Sequence, residues 1–113
     1  MSGQDAPPAL PEPPFVAVIF TSRRAPGAPE GYAEAADRMD ALAQTMPGYL
    51  RHDSVRDEHG FGITISYWRT PEDVARWRAH PEHAAVIGRA GGGEGWYDWY
   101  ESLTADVRRI SRG

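Results

Sequence analysis

Residues 68–83 read WRTPEDVARWRAHPEH, which brings two tryptophans, two histidines and three arginines into one short span. Trp68 and Trp77 offer flat apolar surfaces against which a small aromatic ligand can lie. His80 and His83 are the candidates for proton transfer, because a neutral imidazole takes up a proton close to pH 7. Three residues apart, they would share one face of an unbroken helix, but Pro81 stands between them. His83, one turn into a new helix, is the expected base. His80 is expected at a helix end, with its ring in a single hydrogen bond. Metal ligation would need a further donor, and Glu82 points elsewhere on a regular helix, so no metal site is expected.

A second aromatic group, Trp96, Tyr97, Trp99 and Tyr100, crowds the start of the last strand. On a helix, position 96 would share a face with 99 and with 100. Such clusters mostly bury area in a core or a subunit interface. A hydroxyl of Tyr97 or of Tyr100, turned inward, would hold a substrate oxygen, and the sequence does not choose between them. Arg23, beside Arg24, would steer an anionic ligand, although solvated arginines are the ordinary case. The expected wall of a ligand site is thus Trp68, Trp77, His80, Trp96 and Arg23. His83, Trp68 and Tyr97 or Tyr100 would lie nearest the chemistry. On the central hairpin, His52, Asp53, Asp57, Glu58 and His59 are separated by strand alternation and a turn, so no paired-carboxylate site is suggested. The glycine-rich run at 88–95 lacks the lysine and hydroxyl of a phosphate loop and is expected to be a linker or lid.

Composition removes whole classes of chemistry. The 113-residue chain has no cysteine, no lysine and no asparagine. Thiolate nucleophiles, disulfides, iron–sulfur ligation and lysine Schiff bases are therefore excluded. Abundant Arg, Ala, Gly and Pro point to a GC-rich genome as the cause. A net charge of −4 argues against nucleic acid as a partner. The start, MSGQDAPPALPEPP, has neither the basic end nor the apolar run of a secretory signal. No stretch approaches the ~20 apolar residues that cross a bilayer, so a cytoplasmic protein without a membrane partner is expected.

The elements that must position these residues follow from periodicity. Residues 1–14 carry five prolines and are expected as a disordered or extended tail, with one domain over 15–113. FVAVIFT (15–21) is apolar on both faces, as in a central strand. From Pro29 to Met46, Tyr32, Ala35, Ala36, Met39, Leu42, Ala43 and Met46 recur at helical steps, and Pro47-Gly48 stops the helix. Two strand-like runs around DEHG form a hairpin in which Gly62, Thr64, Ser66 and Trp68 share one face. Thr70 caps the next helix, Pro71 suits its first position, and Asp73 can complete a capping box. Pro81 forces a break and a second short helix. Leu103, Ala105 and Val107 alternate in a last strand. The order β-α-β-β-α-α-β gives a ferredoxin-like α+β fold, a four-stranded antiparallel sheet with helices on one face. The other face needs a cover, and a second copy of the chain is the simplest one.

In MPGYL (46–50), ITISYWRTPEDVARWRAHPEH (63–83) and GWYDWYESLTADVRRI (95–110), the chain resembles the antibiotic biosynthesis monooxygenase family, whose members are dimeric α+β barrels. The resemblance covers the order of elements over residues 15–110. It implies a homodimer with facing sheets and a pocket in each subunit between sheet and helices. Some members oxygenate phenolic substrates with O2 and neither metal nor flavin; others bind and break open haem. Haem-degrading members use an asparagine on the first strand, a tryptophan ending the third and a histidine in the later helix. Those positions fall near Ile19, at Trp68 and near Ile87, and only Trp68 matches. Haem cleavage by that arrangement is not expected, and the missing asparagine also weakens the match to some cofactor-free oxygenases. The resemblance implies a cofactor-independent monooxygenase acting on a small phenolic or enolic substrate. The alternatives are a non-catalytic small-molecule binder of the same fold, or a haem binder ligated through His80 or His83.

Overall fold

A computed structural model describes residues 8–27, 30–88 and 95–113. Its elements are β1 (Phe15–Arg24), α1 (Tyr32–Ala43), β2 (Tyr49–Arg56), β3 (Phe61–Trp68), α2 (Pro71–Ala79), α3 (Pro81–Gly88) and β4 (Tyr97–Val107). The sheet order is β2-β3-β1-β4, and the pairs β1·β3, β1·β4 and β2·β3 are all antiparallel. The fold is the expected ferredoxin-like α+β layer pair. The β-branched, apolar β1 is central, and the more polar β2 is an edge.

Alternation divides the sheet into two faces. Val16, Trp68, Leu42, Ala43, Val74 and Trp77 form the buried core under the helices, with Val18, Met39, Met46 and Tyr49 packed on it. The opposite face carries Ala17, Ile19, Phe61, Ile63, Ile65 and Tyr67, and at its edges Val55 and Leu103 are 70% and 47% exposed.

Two local expectations are corrected. Helix α1 begins at Tyr32 and ends at Ala43, so Met46 lies in a turn, and Pro29 is outside the described residues. Its N-cap, Gly31, has a left-handed backbone and offers no side-chain cap. The aromatic group from Tyr97 onward lies at the start of the last strand, as expected, pairing with β1 through Tyr97↔Arg24, so strand register and not helical spacing decides which rings share a face. Part of the N-terminal tail is also docked. Arg51 donates to the Pro8 carbonyl (3.0 Å) and Arg112 to the Leu10 carbonyl (2.8 Å). Proline-rich extended backbone leaves its carbonyls free to accept such bonds.

The second helical region matches its sequence signals closely. Thr70 Oγ1 accepts from the Asp73 backbone N–H (3.2 Å), Pro71 is at the first helical position, and α2 ends at His80 before Pro81 restarts the chain as α3. The Asp73 carboxylate accepts from the Thr70 hydroxyl (2.9 Å) and from Arg76 (2.7 Å), not from the cap's backbone. Gly48, with φ 81°, lies against Asp73, where a Cβ would overlap the carboxylate.

Candidate functional site

Trp68 ends β3 on the helix side, where strand alternation places it. Its ring has no exposed surface. The indole N–H donates to Ser66 Oγ (2.9 Å), Tyr49 meets it edge-on at 5.7 Å, and Trp77 stacks on it at 5.9 Å. The expectation that Trp68 lines an open cavity is therefore corrected. Its small and polar neighbours on β3 leave room that α2 fills with Trp77, itself 8% exposed.

His83 extends this stack. Its ring lies 4.4 Å from that of Trp77, and its Nδ1 is buried with no hydrogen-bond partner among the described residues. Burial holds its pKa below the ordinary imidazole value. A hydrogen bond to the Arg78 backbone acts in the other direction, and the nearby charges of Arg78 and His80 lower it further. A group with these surroundings is neutral at pH 7. His80 does what a helix-end histidine was expected to do: its Nδ1 accepts from the Glu82 backbone N–H (3.1 Å) at the start of α3. Among the described residues, no group of three or more His, Cys, Asp or Glu side chains could hold a metal ion.

Because α2 rests on β1 and β3, the helix-side row of β4 is left uncovered among the described residues. Tyr100, Ser102 and Thr104 pair with Ser22, Phe20 and Val18, and all three are exposed. A cleft of about 500 Å³ lies there, lined by Pro71, Val74, Ala75, Arg78, Ala79 and Thr104. Its volume is in the range of small-molecule sites. Val74 joins it to the core that holds Trp68 and Trp77, and Arg78 joins it to His83. A second groove of about 420 Å³ runs between α1 and α3 over Ala35, Met39, Ala85 and Val86, beside the two-bonded pair Arg38–Glu82.

The structure separates the two tyrosines that the sequence left equivalent. A bulge between Arg23 and Arg24 turns Tyr97 to the helix side. There it meets Tyr32 edge-on at 5.7 Å and Phe20 at 5.5 Å. Burial, reinforced by a hydrogen bond with Tyr32, pushes its hydroxyl well above the ordinary phenol value, against the pull of Arg56 and Arg24. Tyr100 stacks on Phe20 and remains 39% exposed. Trp96 is buried, donating to the Glu30 carbonyl (3.2 Å) and meeting Tyr32 edge-on. Arg23 points to the other sheet face and donates to the His59 carbonyl (3.1 Å), so it does not join His83. The glycine-rich run 89–94 lies outside the described residues.

Two features went unnoticed in the sequence. Arg56 donates to Gly60 O (2.5 Å), Ser22 Oγ (3.1 Å) and the Tyr32 hydroxyl (3.1 Å), with its guanidinium 5.8 Å from the Tyr32 ring and 5.9 Å from that of Tyr97. It occupies the space opposite Gly62, and the missing Cβ there was the available signal. The other is Tyr49 and His52, joined by a 2.5 Å contact between the tyrosine hydroxyl and Nδ1. Only the bulge between Tyr49 and Arg51 brings both to the helix side, and sequence alternation does not show a bulge.

Comparison with known proteins agrees with this architecture. Residues 15–89 match the family described as Antibiotic biosynthesis monooxygenase. The uncharacterized protein YqjZ of Bacillus subtilis (strain 168) is 42% identical over 102 residues, covering 90% of this chain and 84% of that protein. Among solved structures, SnoaB, a cofactor-independent oxygenase from Streptomyces nogalater, superposes with a TM-score of 0.67 at 20% identity, over 87% of this chain and 97% of that one. PA3566 from Pseudomonas aeruginosa gives a TM-score of 0.67 at 19% identity, over 88% and 97%. These two likenesses establish the fold, whereas the match over residues 15–89 and the 42% identity reach to kinship. The chain belongs to the antibiotic biosynthesis monooxygenase family.

Proposed function

We propose that this chain is a cofactor-independent oxygenase that receives a flat, electron-rich phenol or enol in the cleft between α2 and β4. The observation that carries the reading is His83: a buried imidazole whose Nδ1 has no partner among the described residues and whose pKa burial lowers, behind the cleft wall at Arg78. A substrate hydroxyl is the partner this nitrogen lacks, and reaching it requires the corner between α2 and α3 to part. Once deprotonated, the substrate itself reduces O2; one oxygen atom enters the ring and the other leaves as water. The protein's tasks are to remove the proton, orient the anion and exclude bulk water. Tyr100, exposed in the same row as Thr104, would hold a substrate oxygen, and Trp77 would fix the His83 ring. Trp68 acts from behind, as support for Trp77. The apolar outer face of the sheet supports a homodimer in which two such faces cover each other.

Oxygen uptake with a panel of phenols tests this. The expected result is uptake that falls at least tenfold in His83→Ala, with phenol binding retained. A second reading, a small-molecule binder without turnover, is favoured by the complete burial of Trp68. A phenol that binds in the cleft, with no uptake from any member of the panel, would establish that reading and end the first.

A further inference from the structure

Four rings run in contact from behind the cleft wall toward Asp40 of α1. His83 lies on Trp77, Trp77 stacks on Trp68 with 23° between planes, and Tyr49 meets Trp68 at 84°. The last ring ends in polar groups: the Tyr49 hydroxyl sits 2.5 Å from His52 Nδ1, and His52 Nε2 is 3.9 Å from the Asp40 carboxylate. His52 is 24% exposed and Asp40 55%, so the line leads from a buried indole pair to solvent.

We propose that Trp77, Trp68 and Tyr49 form a one-electron relay that carries an oxidising equivalent away from the cleft to the Tyr49–His52 pair. It rests on the oxygenase reading only for its natural oxidant, superoxide formed in the cleft. Superoxide takes one electron from Trp77 and two protons from solvent, and leaves as hydrogen peroxide. Trp77 recovers the electron from Trp68, and Trp68 from Tyr49. As Tyr49 loses its electron, its hydroxyl proton moves to His52 Nδ1, leaving a neutral tyrosyl radical and an imidazolium that faces Asp40. No bond between heavy atoms forms or breaks.

The direction of travel follows from what each ring can do with its proton. The Trp68 N–H faces Ser66 Oγ, a weak base, so an oxidised Trp68 keeps its proton and stays oxidising. Tyr49 faces an imidazole nitrogen, and a phenol that sheds its proton while losing an electron is easier to oxidise than one that cannot. The hole therefore comes to rest at Tyr49. A thiol or ascorbate in solution then returns the electron, and His52 returns the proton.

The absence of cysteine provides the test. Ala75, an exposed position on the cleft wall, is replaced in Ala75→Cys and labelled with a ruthenium polypyridyl photo-oxidant, which a flash and an irreversible quencher convert to its oxidising form. Samples frozen afterwards are read by electron paramagnetic resonance. The expected spectrum is that of a tyrosyl radical. Its yield drops at least fivefold in Tyr49→Phe, where a tryptophanyl signal takes its place, and at least threefold in His52→Leu. Tyr100→Phe, which removes the exposed ring beside the cleft, changes the yield less than twofold. A tyrosyl yield unchanged in Tyr49→Phe or in His52→Leu, or lost in Tyr100→Phe, overturns the relay. The label supplies the oxidant, so no turnover is required. A radical reaching Tyr49 in a protein that oxygenates no phenol ends the oxygenase reading alone, and turnover with no radical at Tyr49 ends the relay alone.

Discussion

At the scale of single residues, burial decides which of the four histidines is unusual. The folded state holds the His83 pKa below its unfolded value of ~6.5, because charging the buried ring costs solvation. The unfolded chain therefore binds that proton more readily. The contribution of neutral His83 to stability is complete above pH ~6.5 and is lost as pH falls through the folded value. Urea midpoints measured from pH 7.5 downward should decline in the native chain and decline less in His83→Phe, which keeps a ring on Trp77 but cannot titrate. Equal slopes would show that His83 is solvated like an ordinary histidine. Gly62 makes a second prediction. An added Cβ would stand 2.5 Å from the Arg56 guanidinium carbon, which hydrogen bonds to Gly60, Ser22 and Tyr32 hold in place. Gly62→Ala should cost about 1–3 kcal/mol in chemical denaturation, as overpacking does. No loss would mean that the guanidinium is free to move aside.

At the scale of elements, α2 brings Trp77 onto Trp68 and sets one wall of the cleft, so its start matters more than its nine residues suggest. Removing the cap in Thr70→Ala should lower stability by about 1 kcal/mol. Thr70→Ser, which keeps the accepting oxygen, should lose much less in the same denaturation experiment, and equal losses would argue against the cap. This helix was legible beforehand because a cap, a proline and an apolar stripe agree over a few residues. Which rings at the start of β4 share a face was not. Trp96, Tyr97, Trp99 and Tyr100 satisfy helical spacing as well as strand pairing, and only the hydrogen bonds of β1 decide between them. The N-terminal segment follows the same rule: proline content predicts extended backbone but not the arginines, 43 and 102 positions away, that receive it.

For the whole molecule, one face of the sheet is covered by helices and the other is apolar. Val55, Trp99 and Leu103 are the large side chains left most open on it. If a second copy covers that face, Leu103→Glu should convert a dimer to a monomer in light scattering while far-ultraviolet circular dichroism stays unchanged. A native chain that is already monomeric at micromolar concentration would remove the homodimer from the proposed function.

From the sequence alone followed the order of elements, the central place of β1, the break at Pro81, the alternation that puts Trp68 under the helices, and the kinship with a family. Each of these depends on local chemistry or on periodicity, which a linear pattern contains. Tertiary structure alone decided that Trp77 would seal Trp68, that Arg23 would face away from His83, that Tyr100 and not Tyr97 would stay open, and that Tyr49 would meet His52. These are outcomes of register, a bulge and the packing of one layer on another, where a shift of one residue turns a side chain to the opposite face.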